Sequence, residues 1–284
     1  LNTPFPQLDT QPFAAGSRIA LALAYRGGDF KGWQSQGKPR VNTAQDCLET
    51  ALAKITNQPV SLVCAGRTDA GVHASYQVVH FDLPCPRSEK ALVMGCNSNL
   101  PDSLAVKWVR SVDPDFHARF SATARRYRYI ILNRPLRDVH MSGLVTQYAH
   151  PLDAALMNDE AQALVGEQDF SAFRAASCQS RTPMRNIHFI SVKRRGDYVV
   201  IDLQGNAFLH HMVRNIAGVL MAVGSGQMPA GWTAEVLASC DRTQGGVTAR
   251  PEGLYLVDVS YPAHFALPEN QPGPAFLADI SLAD

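Results

Sequence analysis

Arg18-Ile19-Ala20-Leu21-Ala22-Leu23-Ala24-Tyr25 sets Ile19, Leu21, Leu23 and Tyr25 on one side and Arg18 with three alanines on the other. A period of two is the mark of a strand. Gly27-Gly28 ends it. Thr43-Ala44-Gln45-Asp46 then has the form of a capping box, and Cys47, Leu48, Ala51, Leu52 and Ile55 follow at helical spacing. Strand followed by helix is the opening of a mixed fold. Further along, Val60–Cys64, His73–Leu83, Val106–Val112 and Arg125–Leu132 read as strands, with Gly66–Gly71 as a loop. After Pro135 the pattern starts again. Asp153–Val165 reads as a helix closed by Gly166. Ile187–Arg194 and Tyr198–Leu203 flank Arg195-Gly196-Asp197, a hairpin signal. Phe208–Val223 is the strongest helix and Leu254–Tyr261 a closing strand. Strands joined by hairpins and mixed with a few helices argue an α+β fold with antiparallel pairing. Gly28-Asp29-Phe30-Lys31-Gly32-Trp33 and Gln168-Asp169-Phe170-Ser171-Ala172-Phe173 form a faint internal echo, which suggests two similar halves.

The expected divisions are a loose tail at Leu1–Ser17, a first half at Arg18–Arg134, a second at Pro135–His264, and a tail at Phe265–Asp284. The 284 residues are 46% hydrophobic and only 18% charged, which excludes a disordered chain. The longest charge-free stretch, Asn215–Ala234, loses its apolar character near Val223, so no transmembrane helix is expected. Leu1–Ser17 has neither a basic nor an apolar region of the kind a signal peptide needs. The six cysteines show no paired spacing and read as reduced thiols, consistent with a cytoplasmic protein. The net charge is only +1, but the basic residues are segregated. Six arginines lie between Arg119 and Arg137; Arg181, Arg185, Lys193, Arg194 and Arg195 form a second group; Arg26, Lys31, Lys38 and Arg40 a third. Such segments suit a polyanion, or they are solvated strand faces.

Gly66-Arg67-Thr68-Asp69-Ala70-Gly71-Val72-His73 brackets a cation and a carboxylate between two glycines. Glycines permit tight turns and close approach of a ligand. The same residues also suit an ordinary turn with Asp69 as a cap. On the helix beginning near Phe208, Met212, Ile216, Val219, Leu220 and Val223 form an apolar stripe, while His211, Arg214, Asn215 and Gly218 share the other face. That face presents an arginine to a site, or it is simply solvated. Arg125-Arg126-Tyr127-Arg128-Tyr129 interleaves cations with rings, which suits stacking on unpaired bases and holding phosphates. A core strand with a basic edge reads the same way. His73 and His80 are seven apart on one strand and His210 and His211 are adjacent, so no metal site is expected. There is no GxGxxG, Walker A or GxSxG sequence, hence no expected nucleotide cofactor.

Taken together, the loop Gly66–Ala74 with Tyr25–Gln34, Asn99-Leu100-Pro101, Phe116–Tyr129 and Phe208–Gly218 resembles the tRNA pseudouridine synthase A family from about Arg18 to Tyr261. Where some members carry His, this chain has Gln168. The resemblance implies two ferredoxin-like halves around a central cleft, the pseudouridine synthase fold. It implies an isomerase converting uridine to pseudouridine at positions 38, 39 and 40 of the tRNA anticodon stem-loop, without cofactor or metal. It also implies a homodimer that contacts tRNA with both subunits. Asp69 matches the catalytic aspartate, Arg214 the arginine that pairs with it, and Arg67 a residue that enters the space of the flipped base. Tyr127 matches the tyrosine that stacks on the flipped uracil and takes the C5 proton, and Leu254 a residue closing the pocket. Attack at the ribose C1′, attack at the base C6, and charge stabilisation all stay open for Asp69. Three other functions compete: a tRNA-binding protein without catalysis, a hydrolase pairing Asp69 with Glu252, and a synthase acting on a different RNA site.

Overall fold

The computed structural model describes residues 7–37 and 41–277. Lys38, Arg40 and the two chain ends, which carry part of the expected basic segments and tails, lie outside it. In chain order the strands are β1 (Pro12–Phe13), β2 (Arg18–Tyr25), β3 (Val63–Cys64), β4 (His73–Asp82), β5 (Arg87–Ser88), β6 (Leu104–Ser111), β7 (Ala124–Asn133), β8 (Thr146–Tyr148), β9 (Gly166–Asp169), β10 (Met184–Arg195), β11 (Tyr198–Gly205) and β12 (Leu254–Ser260). The helices are α1 (Ala44–Thr56), α2 (Glu89–Asn99), α3 (Ala154–Ala161), α4 (Met212–Gly224) and α5 (Trp232–Ser239). The chain forms two units. The first takes the described residues up to Ala70, Ala74–Thr123 and Val259–Gln271; the second takes Gly71–His73, Ala124–Asp258 and the described residues from Pro272. The second half therefore begins at Ala124, before the strand that carries Tyr127, and not after Arg134.

In the first unit the succession is β2-α1-β3-β4-α2-β6, and the sheet order is β6-β2-β4-β3 with every pair antiparallel. Numbered by succession, this is 4-1-3-2, the ferredoxin-like order. Thr43 caps the helix as the sequence dictates, the Asp46 N–H donating to Thr43 Oγ1 at 3.2 Å, while the Asp46 carboxylate accepts from the Thr43 hydroxyl at 2.5 Å. α1 ends at Asn57, which adopts the left-handed conformation at φ 56°. Leu48 and Leu52 are fully buried, each contributing about 1.5–3 kcal/mol through removal from water. The described part of the stretch expected to be a loose tail is tied down: β1 pairs with β5, and Gly16 N donates to Leu83 O at 2.7 Å.

The second unit repeats the plan. β7-α3-β10-β11-α4-β12 gives the order β12-β7-β11-β10, with β9 added at the β10 edge. One pair departs from the expected antiparallel pattern: β8 runs parallel to β7, with Ile131 opposite Thr146. The halves thus share a topology, but the sequence echo is not its trace. Asp29-Phe30 follows the first strand of its unit, whereas Asp169-Phe170 follows the first helix of the other. Residues 268–277, expected to belong to a tail, are also held in place. Pro268 O accepts the Tyr76 hydroxyl at 3.2 Å in the first unit. In the second, Arg128 donates to Pro272 O and Gly273 O at 2.8 and 2.9 Å, and Leu277 is buried with Ile130, Leu132, Val200, Tyr255 and Val257. All six cysteines are free thiols. Among the described residues, no helix is long and apolar enough to cross a membrane.

The charge clusters change meaning once strands are paired. Arg126 and Arg128 lie on the face of β7 opposite Tyr127 and Tyr129, and both bond Asp202 of β11: Arg126 through two nitrogens at 2.7 Å each, Arg128 through Nε at 2.8 Å. Arg134 pairs with Asp138 and Asp197, and Arg26 with Asp29. Arg185 is buried and donates to the carbonyls of Thr182 and Met184. Much of the apparent polyanion surface is therefore neutralised or consumed internally.

His80 of β4 is buried and accepts the Ala118 N–H at Nδ1, 3.0 Å away. Burial, with the neighbouring charges of His117 and Arg18, pushes its imidazole down to about 4. The free imidazole titrates near ~6.5, so between these values the unfolded chain binds the extra proton and stability rises with pH. Thermal melts should show the midpoint falling as pH drops from about 6.5 towards 4. In His80→Asn, which keeps an acceptor at the δ position, the fall should be shallower. Equal slopes would remove His80 as the source.

Candidate active site

The Asp69 loop joins β3 to β4, and four neighbours fasten its stem. The Tyr25 and Thr68 hydroxyls meet at 2.8 Å. Gln77 donates to Gly66 O at 2.6 Å and accepts from Gly66 N at 3.4 Å. Trp33 N donates to Thr68 O at 3.0 Å. Gly32 lies flat against the loop at φ 92°, where a Cβ would come within 2.9 Å of Thr68 O and 3.4 Å of the Asp69 carbonyl carbon. Only glycine meets both demands, an unusual φ and a backbone in contact. Trp33 and Gln77 are fully buried, so the loop stands on a rigid polar and aromatic base. On that base Asp69 is half-buried and Arg67 exposed. Cys64 sits at the foot of the loop. Burial pushes its thiol up to about 11, against the opposing pull of Arg67 and Arg119.

The other expected site residues belong to the second unit. Tyr127 is buried on β7 and meets the ring of Phe208 edge-on, with centroids 5.1 Å apart. Leu254 is buried at the start of β12, the strand next to β7. It is delivered there by Gly253, where an added Cβ would strike Thr146 Oγ1 at 2.6 Å and the Tyr129 ring at 2.9 Å. Tyr129 itself donates to Arg250 O at 2.9 Å, and burial raises its phenol. Gly71 has φ 82° and rests on Pro251.

Arg214 occupies the first turn of α4, and its Nε donates to Ala249 O at 2.8 Å. The helix starts at Met212, not Phe208, because His211 takes the left-handed conformation at φ 62° and the residues before it turn. Its polar face is not solvated. Asn215 is buried, donates to Phe173 O at 2.7 Å and accepts from Thr248 and Arg242. At Gly218 a Cβ would overlap Val247 O at 2.0 Å. The glycine is there so that residues 247–249 can lie along the helix and lock Arg214 in place. His210 is bridged to Ser177 at 3.0 Å. Gln168, at the position where the sequence departs from its resemblance, donates to Ala163 O and Val165 O at 2.9 Å and closes the turn after α3. Its role here is structural.

Comparison with known proteins decides what this arrangement belongs to. The family model described as tRNA pseudouridine synthase matches residues 21–121 and 161–262, most of both units. This chain is a member of the tRNA pseudouridine synthase family. It is 56% identical over 257 residues to tRNA pseudouridine synthase A of Tolumonas auensis, covering 90% of this chain and 98% of that one. The enzyme of the same name from Klebsiella pneumoniae subsp. pneumoniae is 53% identical over 273 residues, covering 96% and 99%. Among solved structures, a chain of a Cbf5-Nop10-Gar1 complex aligns over 72% of this chain and 45% of its own, at 12% identity and a TM-score of 0.29, too low to bear on the fold. A tRNA pseudouridine synthase is an isomerase: it turns uridine into pseudouridine within tRNA. The Asp69 loop and the Arg214 helix lie within the matched residues, and the fold is that of this family.

Proposed function

We propose that this synthase acts on uridines 38, 39 and 40 of the anticodon stem-loop, with Asp69 as its nucleophile. The observation carrying the reading is the Asp69 loop: a half-buried carboxylate held on a buried base of Tyr25, Trp33 and Gln77. A reaction centre has to be positioned this firmly, and a solvated turn does not. The isomerisation breaks N1–C1′, turns the uracil and forms C5–C1′; the C5 proton leaves and N1 gains one. A carboxylate can attack and leave again, at C1′ or at C6. The target uridine leaves the stack, Arg67 takes its place, and Tyr127 stacks on the flipped uracil and removes the C5 proton. Arg214 pairs with Asp69, and Leu254 closes the apolar side. The proposed enzyme is a cytoplasmic homodimer that engages tRNA with both subunits and uses neither cofactor nor metal.

Pseudouridine mapping on unmodified tRNA tests the reading. New pseudouridine confined to positions 38–40 is the expected result. Modification elsewhere would move the target to another RNA site. Tight binding without product would leave a tRNA-binding protein, and release of free uracil would favour the hydrolase using Glu252. Tyr127→Phe keeps the ring and loses the hydroxyl. It should bind tRNA normally and slow product formation by about 10²–10⁴-fold, the usual weight of a general base. Single-turnover rates check this, and a rate equal to wild type would take the proton transfer away from Tyr127.

A further inference from the structure

Phe120 is 76% exposed, although folding gives an aromatic ring every reason to be covered. It is not loose. His117 accepts the Arg119 and Phe120 N–H groups at Nδ1, both at 3.2 Å, and its own N–H donates to Ser121 Oγ at 3.0 Å. Ser121 N donates back to His117 O at 2.9 Å. This closed turn sets the Phe120 ring on the His117 ring, with centroids 4.3 Å apart and 30° between planes. Behind His117 stands the buried His80, 4.8 Å away. The Arg119 guanidinium lies 5.5 Å from the Phe120 centroid. The acids on the preceding turn, Asp113 and Asp115, are exposed. Asp115 faces Arg18, whose guanidinium also binds the carbonyls of Pro114 and Phe116.

A rigid, outward aromatic backed by one ring and flanked by a guanidinium is the arrangement that receives nucleobases in single-strand and loop recognition. We propose that Phe120, fixed by His117 and flanked by Arg119, is a stacking platform for an unstacked nucleobase of the tRNA substrate, separate from the uridine that reacts. The occupant is RNA because the substrate is tRNA and the flanking group is a cation. His80, behind His117, lies opposite Val63 of β3, the strand that leads into the Asp69 loop, so the platform stands in the same neighbourhood as the loop. The base it takes therefore belongs to the same arm of the tRNA as the target. The proposal rests on tRNA as the substrate, and the arm assigned to its base rests on the Asp69 loop as the place where the target uridine reacts.

The test uses the full chain and full-length tRNAs carrying 2-aminopurine at one unpaired position at a time. Wild type should quench one position strongly. Phe120→Ala and Phe120→Leu should lose that quench and bind about tenfold more weakly, whereas Phe120→Trp should keep both. Turnover at saturating RNA should change little, because the loss is in binding. A Leu variant equal to wild type would reduce the contact to apolar surface and overturn the stacking assignment. So would an Ala variant that binds as wild type, or one that changes only the oligomeric state. Thermal melting of the Ala variant should match wild type, since so exposed a ring contributes little to the fold. The platform and the proposed target are read separately: quenching reports Phe120 whether or not pseudouridine forms at positions 38–40.

Discussion

Asp69→Ala should lose turnover by roughly four or more orders of magnitude while still binding tRNA, because the proposed nucleophile is removed and the RNA-holding surface is not. The geometry explains why so clean a separation is expected. Gly66 and Thr68, both just before Asp69, are fixed by Tyr25, Gln77 and Trp33, and none of these bonds uses the Asp69 carboxylate. The variant therefore keeps the stem of the loop. Asp69→Asn should be as inactive, since an amide occupies the same space without the charge. Single-turnover pseudouridine assays and filter binding measure the two halves of this result. Activity within tenfold of wild type in either variant would remove Asp69 from the chemistry. Gly32 gives the converse case, where the carboxylate stays and the loop would have to move.

Asp202→Ala should lower the free energy of unfolding by about 3–5 kcal/mol, as expected when one partner of a buried ion pair is removed. Asp202 is buried and serves two guanidiniums. Its removal strands Arg128, itself buried, with only the carbonyls of Pro272 and Gly273. Arg126, whose guanidinium Asp202 raises above the usual arginine value, is more exposed and recovers hydration. Urea denaturation gives the loss. Tyr127 lies on the other face of β7, so the folded variant should keep most of its turnover at low temperature. A loss below about 1 kcal/mol would mean that water already screens the cluster.

The difference between these two aspartates shows what a sequence can say. Asp69 was legible because its neighbours in the chain, Arg67 and the two glycines, carry the pattern with it. Asp202 was not, because its partners are 74 and 76 residues away and meet it only when β7 pairs with β11. The arginine run near Tyr127 accordingly read either as an RNA-facing edge or as a core strand with a basic edge, and the pairing of two of its members with Asp202 could not be seen. Strands with clean alternation, such as β2, and the capped helix α1 matched their sequence signals closely. Helix α2 carries few apolar residues at regular spacing and escaped notice despite its Ser88 cap; α5 is only eight residues long. The start of α4 was misplaced because periodicity is blind to a single left-handed residue such as His211. The base beneath Asp69 was hidden for the same reason as Asp202. Tyr25, Trp33 and Gln77 lie on three separate segments, and only tertiary structure brings them to the loop.

The repeated 4-1-3-2 order has a consequence for how such an enzyme can arise. Each unit has a connection between its two middle strands. In the second unit it is the two-residue turn Gly196-Asp197, and in the first it is the stretch 65–72 that carries Asp69. Two copies of a plan relieve each other of constraint. One can keep its shortest turn, while the other grows a loop without disturbing its sheet. The helix that presents Arg214 is the second helix of its unit, and its counterpart α2 presents no matching arginine. The two units thus depart from their shared plan at different points, the first in the connection that carries Asp69 and the second in the helix that carries Arg214.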